Sequence, residues 1–174
     1  FKAGFRNGLF NQFYSNNIKN IECNYLFGKI NGVYREWYDN GKLKTEVLYE
    51  EGKKTGEQII YQKEKSLMKT KSFYLNGKKE GLFVEWDKFA NAKFNAFYKE
   101  GDLEGEVVFY QKNSSLKEMK GYYSEGLRNG NFTIWNKEAN VFFSARYEYS
   151  ELVEIFSGTK DGDYYLDDLE DVLY

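Results

Sequence analysis

The sequence predicts an all-β protein: an elongated, single-sheet antiparallel β-hairpin repeat solenoid with a short C-terminal helical cap. Three observations predict it. Glycine recurs in pairs at nearly fixed intervals, aromatic residues recur at fixed distances from those pairs, and Phe, Tyr and Trp together make up 20% of the 174 residues. That composition favours strands, whereas helical bundles are built from Leu and Ala.

The glycine pairs set the frame. Gly4/Gly8, Gly28/Gly32, Gly52/Gly56, Gly77/Gly81, Gly101/Gly105 and Gly126/Gly130 are each a G-x-x-x-G and use 12 of the 16 glycines. The second glycines step by 24, 24, 25, 24 and 25 residues, and such self-similarity defines a repeat protein. G-x-x-x-G is also a transmembrane pairing motif, but its flanks here are "KKE", "DLE" and "LRN", not an apolar helix. Two closely spaced glycines suit a turn that needs positive φ or close backbone approach. Both members of each pair are therefore expected at bends between strands.

Each unit reads as one β-hairpin. "GVYREWYDNGKLKTEVLYEEGKKTG" divides into strand "VYREWY", turn "DNGK", strand "LKTEVLY" and turn "EEGKKTG". Asn40-Gly41 is a two-residue hairpin signal. The two-residue side-chain period puts Val33, Arg35 and Trp37 on one face of the first strand. It puts Leu43, Thr45, Val47 and Tyr49 on one face of the second. Units of 25 residues carry their extra residue between Leu67 and Tyr74 and between Leu116 and Tyr123. One added residue would flip every following side chain, so a β-bulge is expected at each of these places.

Aromatic residues keep two phases. Five residues after the second glycine stand Phe13, Trp37, Tyr61, Trp86, Tyr110 and Trp135; just before the next pair stand Tyr25, Tyr49, Tyr74, Tyr98, Tyr123 and Tyr147. The first row is expected to stack on itself as the core, because a solenoid has no second layer to cover it. The alternative is an exposed row that stacks on sugar rings or anchors a partner. One residue further on, Tyr14, Tyr38, Gln62, Asp87, Gln111 and Asn136 face the other way and are mostly polar. They are the candidate binding surface. Structural roles fall to the paired glycines from Gly28 to Gly130 and to the first aromatic row. The lysines of "GKKTG" and "GKKEG" alternate with Glu50, Glu51, Glu80, Glu100 and Glu104 and read as solvated turns, not as the clustered basic patch of a lipid switch.

The array spans 1–157, with a first partial unit at 1–8, and Ser150 stands where the last glycine belongs. Residues 158–174 form an acidic segment with six acids and one Lys. Asp163 as N-cap and Leu166, Leu169 and Leu173 at helical spacing predict a short helix covering the last hairpin. Asp161, Asp163, Asp167 and Asp168 lack the ordered ligand positions of an EF-hand loop.

"YDNGKLKTEVLYEEGKKTG", "SFYLNGKKEG", "FYKEGDLEG" and "YYSEGLRNG" resemble MORN repeats, in the bacterial variant of the YwqK-type family, whose members are described as antitoxin components. The resemblance covers about residues 1–150. It implies antiparallel hairpins in one twisted sheet, a role in protein association and, for some relatives, lipid contact. The usual His before the second glycine is replaced by Asn31, Thr55, Glu80, Glu104 and Asn129.

Composition narrows the chemistry. His is absent and Cys23 is the one cysteine, which removes Ser–His and Cys–His nucleophile pairs and ordinary zinc sites. Cys23, in the alternating stretch "IECNYLF", reads as a small buried residue. A net charge of −2 argues against nucleic acid. No stretch of about 20 apolar residues encodes a membrane helix. No signal peptide is visible, and the chain opens at "FKAGF" without Met, which leaves cytoplasmic and exported placements both open. The expectation is a non-catalytic scaffold that takes no cofactor and binds another protein, an antitoxin or immunity partner being one version. A glycan or cell-envelope module and a peripheral lipid binder are the alternatives.

Overall fold

In the computed structural model, residues 4–158 are described. The expected C-terminal helix and the four acids at 161–168 lie outside them. Fifteen strands, and among the described residues no helix, make the chain all-β. The chain divides into two compact units, Phe1–Ala90 and Asn91–Tyr174.

The first unit holds β1 (Gly8–Phe13), β2 (Lys19–Leu26), the two-residue β3 (Lys29–Ile30) and β4 (Gly32–Trp37). It continues through β5 (Leu43–Glu50), β6 (Lys53–Tyr61), β7 (Met68–Leu75) and β8 (Lys78–Trp86). The second unit holds β9 (Ala92–Lys99), β10 (Asp102–Tyr110), β11 (Lys117–Ser124) and the two-residue β12 (Leu127–Arg128). It ends with β13 (Gly130–Trp135), β14 (Val141–Glu148) and β15 (Glu151–Ser157). Within each unit the strands pair antiparallel with their sequence neighbours, a meander of hairpins.

The two glycines of each pair do different work. Glu51 and Gly52 have φ of 48° and 83° and connect the directly paired Glu50 and Lys53. Positive φ at both central residues is the type I′ turn, whose twist suits a two-residue hairpin. The same turn recurs at each unit boundary, down to Tyr149 and Ser150 with φ of 48° and 69°.

The second glycine is not in that turn, which corrects the expectation that both members sit at bends between strands. Gly32 and Gly130 open β4 and β13, whereas Gly56, Gly81 and Gly105 lie inside β6, β8 and β10. Their φ values of 73°, 70° and 94° interrupt the extended backbone, and the register slips across each. Around Gly56 the pairing jumps from Leu48↔Thr55 to Glu46↔Ile59. Around Gly81 it jumps from Phe73↔Glu80 to Lys71↔Val84, and around Gly105 from Leu103↔Tyr98 to Val107↔Ala96. In each case the glycine-bearing strand carries more residues than its partner over the same span. That excess is a bulge, and a positive φ lets glycine absorb it while the strand continues.

Asn40-Gly41 is likewise not the two-residue turn the sequence suggests. It lies in a five-residue connection, residues 38–42, in which the Gly41 N–H donates to the Tyr38 carbonyl (2.9 Å) and the Tyr38 N–H to the Lys42 carbonyl (2.8 Å). Only Gly41 of the pair has positive φ, at 81°, so the backbone cannot close a type I′ turn there. The expectation of bulges peculiar to the longer units needs a similar correction. A slip does occur at Ile60/Tyr61, but the 24-residue units slip at the same phase, at Glu36/Trp37 and Ile134/Trp135. The extra residue goes into the loop instead: 62–67 and 111–116 have six residues where 38–42 has five.

Directly opposed residues share a face of the sheet. Tyr34 opposes Val47, which is 2% exposed, while Val33 opposes the exposed Leu48. Thr45, Val47 and Tyr49 thus line the packed, inner face, whereas Leu43, expected with them, opposes Trp37 across the register slip and lies on the outer one. Val33 and Arg35 lie on the outer one, where Arg35 pairs with Glu22 and Glu46. Trp37 stays with them: Lys19, ion-paired to Glu22, sits 5.5 Å from its ring. The row at plus five is consequently not the core. Rings pack instead between the position two after the second glycine and the tyrosine before the next pair. Examples are Phe10–Tyr25 at 5.9 Å, Tyr34–Tyr49 at 5.8 Å and Phe132–Tyr147 at 5.2 Å.

Main-chain and side-chain links tie successive hairpins. In the first unit Gly28 donates to the Arg6 carbonyl, Gly52 to Ile30 and Gly77 to Lys54, at 2.8–2.9 Å. In the second, Gly126 donates to Leu103 and Ser150 to Arg128. The residue before the second glycine accepts from the following turn: Asn7 from the Phe27 N–H (3.0 Å), Asn31 from Glu51 (3.2 Å) and Glu104 from Glu125 (3.0 Å).

Candidate functional site

The candidate binding residues are, for the most part, clamps between repeats. Tyr14 Oη donates to the Trp37 carbonyl (2.8 Å) and Tyr38 Oη to that of Tyr61 (2.7 Å). Gln62 Nε2 reaches the Asp87 carbonyl at 2.6 Å, and Gln111 Nε2 that of Asn136 at 2.7 Å. Asp87 and Asn136 also fold their own loops, accepting from the N–H of Phe89 (2.8 Å) and of Glu138 and Asn140 (3.1 and 2.9 Å). Tyr14, Tyr38, Gln62, Asp87 and Gln111 are half-buried and Asn136 is exposed. The expected exposed polar row is thus an internal seam. Its side chains are spent on main-chain groups at the ends of strands and in the loops.

The row at plus five is half-buried on the outer face, apart from the exposed Phe13. Tyr110 Oη accepts from Asn95 Nδ2 at 3.1 Å. Around it the outer face carries solvated ion pairs, such as Lys71–Glu57 and Lys120–Glu106. The Lys120 ammonium holds the Glu106 carboxyl below its ordinary range. Pairs this exposed contribute little to stability.

The inner face differs sharply between the units. Of sixteen buried hydrophobic residues among those described, only Cys23 and Val47 belong to the first unit. The second unit closes this face with Phe94, Met119, Phe132, Ile134 and Phe143, each 2% exposed or less. All three buried polar residues, Thr45, Gln58 and Ser72, lie in the first unit at the same phases. There Gln58 Nε2 donates to Thr45 Oγ1 (3.2 Å), which donates to the Ile59 carbonyl (2.8 Å). Around this network stand Tyr34, Tyr49 and Tyr74, all half-buried. Burial, then the charge of Glu36, pushes the Tyr34 phenol up to about 12. Cys23, 2% exposed, is the buried residue the sequence reading expected, and burial raises its thiol.

Two lysines complete this face. Lys54 opposes Tyr49 and Lys79 opposes Tyr74, so both side chains point inward. Lys54 Nζ donates to Gln58 Oε1 (3.0 Å) and lies 4.8 Å from the Tyr74 ring centre. Lys79 Nζ lies 4.9 Å from the Phe83 ring centre. Burial lowers both ammonium groups, and the charge of Lys54 lowers Lys79 further. The sequence reading took every turn lysine as solvated. Lys53 and Lys78 are exposed, but the second lysine of each "GKK" is not. Strand alternation carried outward from Tyr49 and Tyr74 was the signal that could have found them.

Among the described residues no three His, Cys, Asp or Glu side chains are grouped to hold a metal. No helix there is long and apolar enough to cross a membrane. No protein-family model matches the chain, and no curated protein matches it. Among solved structures it is similar to a chain of the "Glycosylation Associate Protein (Gap123) complex from Streptococcus agalactiae". The identity is 12% and the TM-score 0.34, over 64% of this chain and 20% of that one.

Proposed function

We propose that this chain is a non-catalytic repeat scaffold of the MORN kind, which binds another protein through the inner face of its first unit. One observation carries the reading. The face that the second unit fills with apolar side chains is, in the first, lined by half-buried tyrosines, a buried polar network and two cations. A face built only to be a core would not keep Thr45, Gln58 and Ser72 where rings and methyl groups stand in the other unit. Tyrosines with apolar bodies and polar tips are what protein-recognition surfaces use. The cross-repeat hydrogen bonds hold this face rigid, so little ordering entropy is lost when a partner docks. An antitoxin or immunity role is one case of such binding.

Photo-crosslinking tests it. A benzophenone amino acid at Tyr74, on the inner face, and one at Phe97, on the outer face of the second unit, are compared in extract of the source cells. A discrete protein adduct at Tyr74 and none at Phe97 is the expected result. Adducts to glycan or lipid, or equal labelling at both positions, would overturn the reading.

A further inference from the structure

We propose that the inner face of the second unit is a docking surface for the chain's own last segment, residues 159–174, which covers it through Leu166, Leu169 and Leu173. The proposal concerns the other unit and is independent of the partner reading above.

The tyrosine before each glycine pair is a like-for-like gauge of cover. Tyr25, Tyr49 and Tyr74 of the first unit are half-buried. Tyr98, Tyr123 and Tyr147, at the same phase of the second, are 6%, 3% and 1% exposed. Beside them Met119, Phe132, Ile134 and Phe143 are fully buried. Yet the described residues of this unit form one layer of strands, with no helix or second sheet upon it. Side chains stand roughly perpendicular to a sheet. A ring in a single layer therefore hides its flanks against its neighbours and leaves its tip in water. Rings hidden to the tip require a second layer. The sheet accounts for the second unit, Asn91–Tyr174, as far as Ser157, so the layer falls to the residues after Gly158.

The place where the chain leaves the sheet agrees. Gly158 has a φ of 86°, and a Cβ there would stand 2.6 Å from the Phe142 carbonyl oxygen and 3.3 Å from Cδ2 of Phe143. Phe143 opposes Ile134, and both are inner-face side chains. The chain thus presses onto β14 beside the inner face just before residue 159, an approach that glycine permits.

Length and chemistry also fit. The strands run β9-β10-β11-β13-β14, a width of about 20 Å at the usual strand spacing. Sixteen residues reach about 24 Å even when coiled as a helix. Leu166, Leu169 and Leu173 make an apolar stripe in a segment with six acids. The stripe suits Leu103, Met119 and Ile134. Arg128, with its guanidinium 5.3 Å from the Tyr147 ring centre, gives the same face a cation for the acids. The first unit, whose tyrosines stay half-buried, keeps its inner face open.

Methyl NOEs on the full chain, labelled at Ile, Leu, Val and Met, test the proposal without any substitution. Cross-peaks from Leu166, Leu169 or Leu173 to Leu103, Met119 or Ile134 are expected. Their absence, or cross-peaks from those leucines only to outer-face methyls such as Val141, overturns the proposal. An isotope-filtered mixture of labelled and unlabelled chains separates the source: cross-peaks that arise between copies overturn it and assign the cover to a second copy. Leu166→Ser with Leu169→Ser and Leu173→Ser is expected to raise the fluorescence of added anilinonaphthalene sulfonate at least threefold, because the apolar face is then uncovered. Fluorescence equal to that of the wild type overturns the proposal as well.

Discussion

Gly121 shows how closely the second unit is packed. It lies outside the paired glycines, in the phase that other hairpins fill with Cys23, Val47, Ser72, Ala96 and Ala145. Its φ is not positive, so the backbone there does not demand glycine. The space does: a Cβ would stand 2.1 Å from Phe132 Cε1. That ring is fully buried between Tyr123 and Tyr147, at 5.3 and 5.2 Å, and cannot swing away. Alanine in a strand would ordinarily be favoured over glycine by roughly 0.5–1 kcal/mol, but forcing a methyl group into a full core costs about 1–3 kcal/mol. Gly121→Ala is therefore expected to lower stability in urea unfolding, and Phe132→Leu in the same chain to recover part of the loss. A neutral or stabilising Gly121→Ala would show that the ring has room to move.

Tyr34 makes a prediction with a defined sign. Its phenol titrates near pH 10 in an unfolded chain and is pushed up to about 12 in the folded one, mainly by burial. Between those values the unfolded state sheds a proton that the native state keeps. Stability present below pH 10 is thus lost progressively as pH rises toward 12. Tyr34→Phe removes this contribution. Urea midpoints of the wild type are expected to fall more steeply than those of the variant over that window. Parallel curves would mean that the phenol reaches water in the folded protein.

At the scale of elements, the clamps join one hairpin loop to the next. Gln62 Nε2 donates to the carbonyls of Asp87 (2.6 Å) and Met68 (3.3 Å). Removing the amide leaves a part-buried carbonyl without its donor, at a cost of about 0.5–1.5 kcal/mol. Gln62→Ala should lower the melting temperature of the first unit without altering its strand content. Gln62→Glu, which keeps the shape but has no N–H to donate when ionised, should do the same.

How far such elements are legible in the sequence depends on what fixes them. Glycine phase and two-residue alternation report backbone requirements, so the hairpins and the shared face of Thr45, Val47 and Tyr49 follow from the sequence directly, while Leu43 leaves that face because the slip at Glu36/Trp37 breaks the alternation. The need for positive φ at Gly56, Gly81 and Gly105 was legible in the same way. Their place inside strands was not, because a turn and a bulge ask the same of a glycine and only the pairing across the sheet tells them apart. Loop geometry depends on hydrogen bonds closed between residues several positions apart. For that reason Asn40-Gly41 reads as a tighter turn than it is, and the extra residue of the longer units reads as a bulge. The polar character of the plus-six row was legible, but not its occupation. That the Tyr38 hydroxyl finds the Tyr61 carbonyl depends on the stacking of whole repeats, which no single unit encodes. Lys54 and Lys79 were overlooked for the opposite reason: composition marks lysine as solvated, although strand alternation carried outward from Tyr49 and Tyr74 turns these two inward.

On the scale of the whole molecule, the two units bury the same face with different chemistry, and this sets their relative stability. A fully buried Phe or Ile side chain contributes about 1.5–3 kcal/mol, and the second unit has several where the first has Thr45, Gln58 and Ser72. Hydrogen bonds in that polar network return about 1 kcal/mol each. Local opening should therefore be easier in the first unit, and native-state amide exchange measures it directly. Amides of β10, β11, β13 and β14 are expected to exchange slowly, near the global unfolding limit, and those of β5, β6 and β7 at least tenfold faster. Uniform protection across both units would mean that the polar inner face is as tightly held as the apolar one.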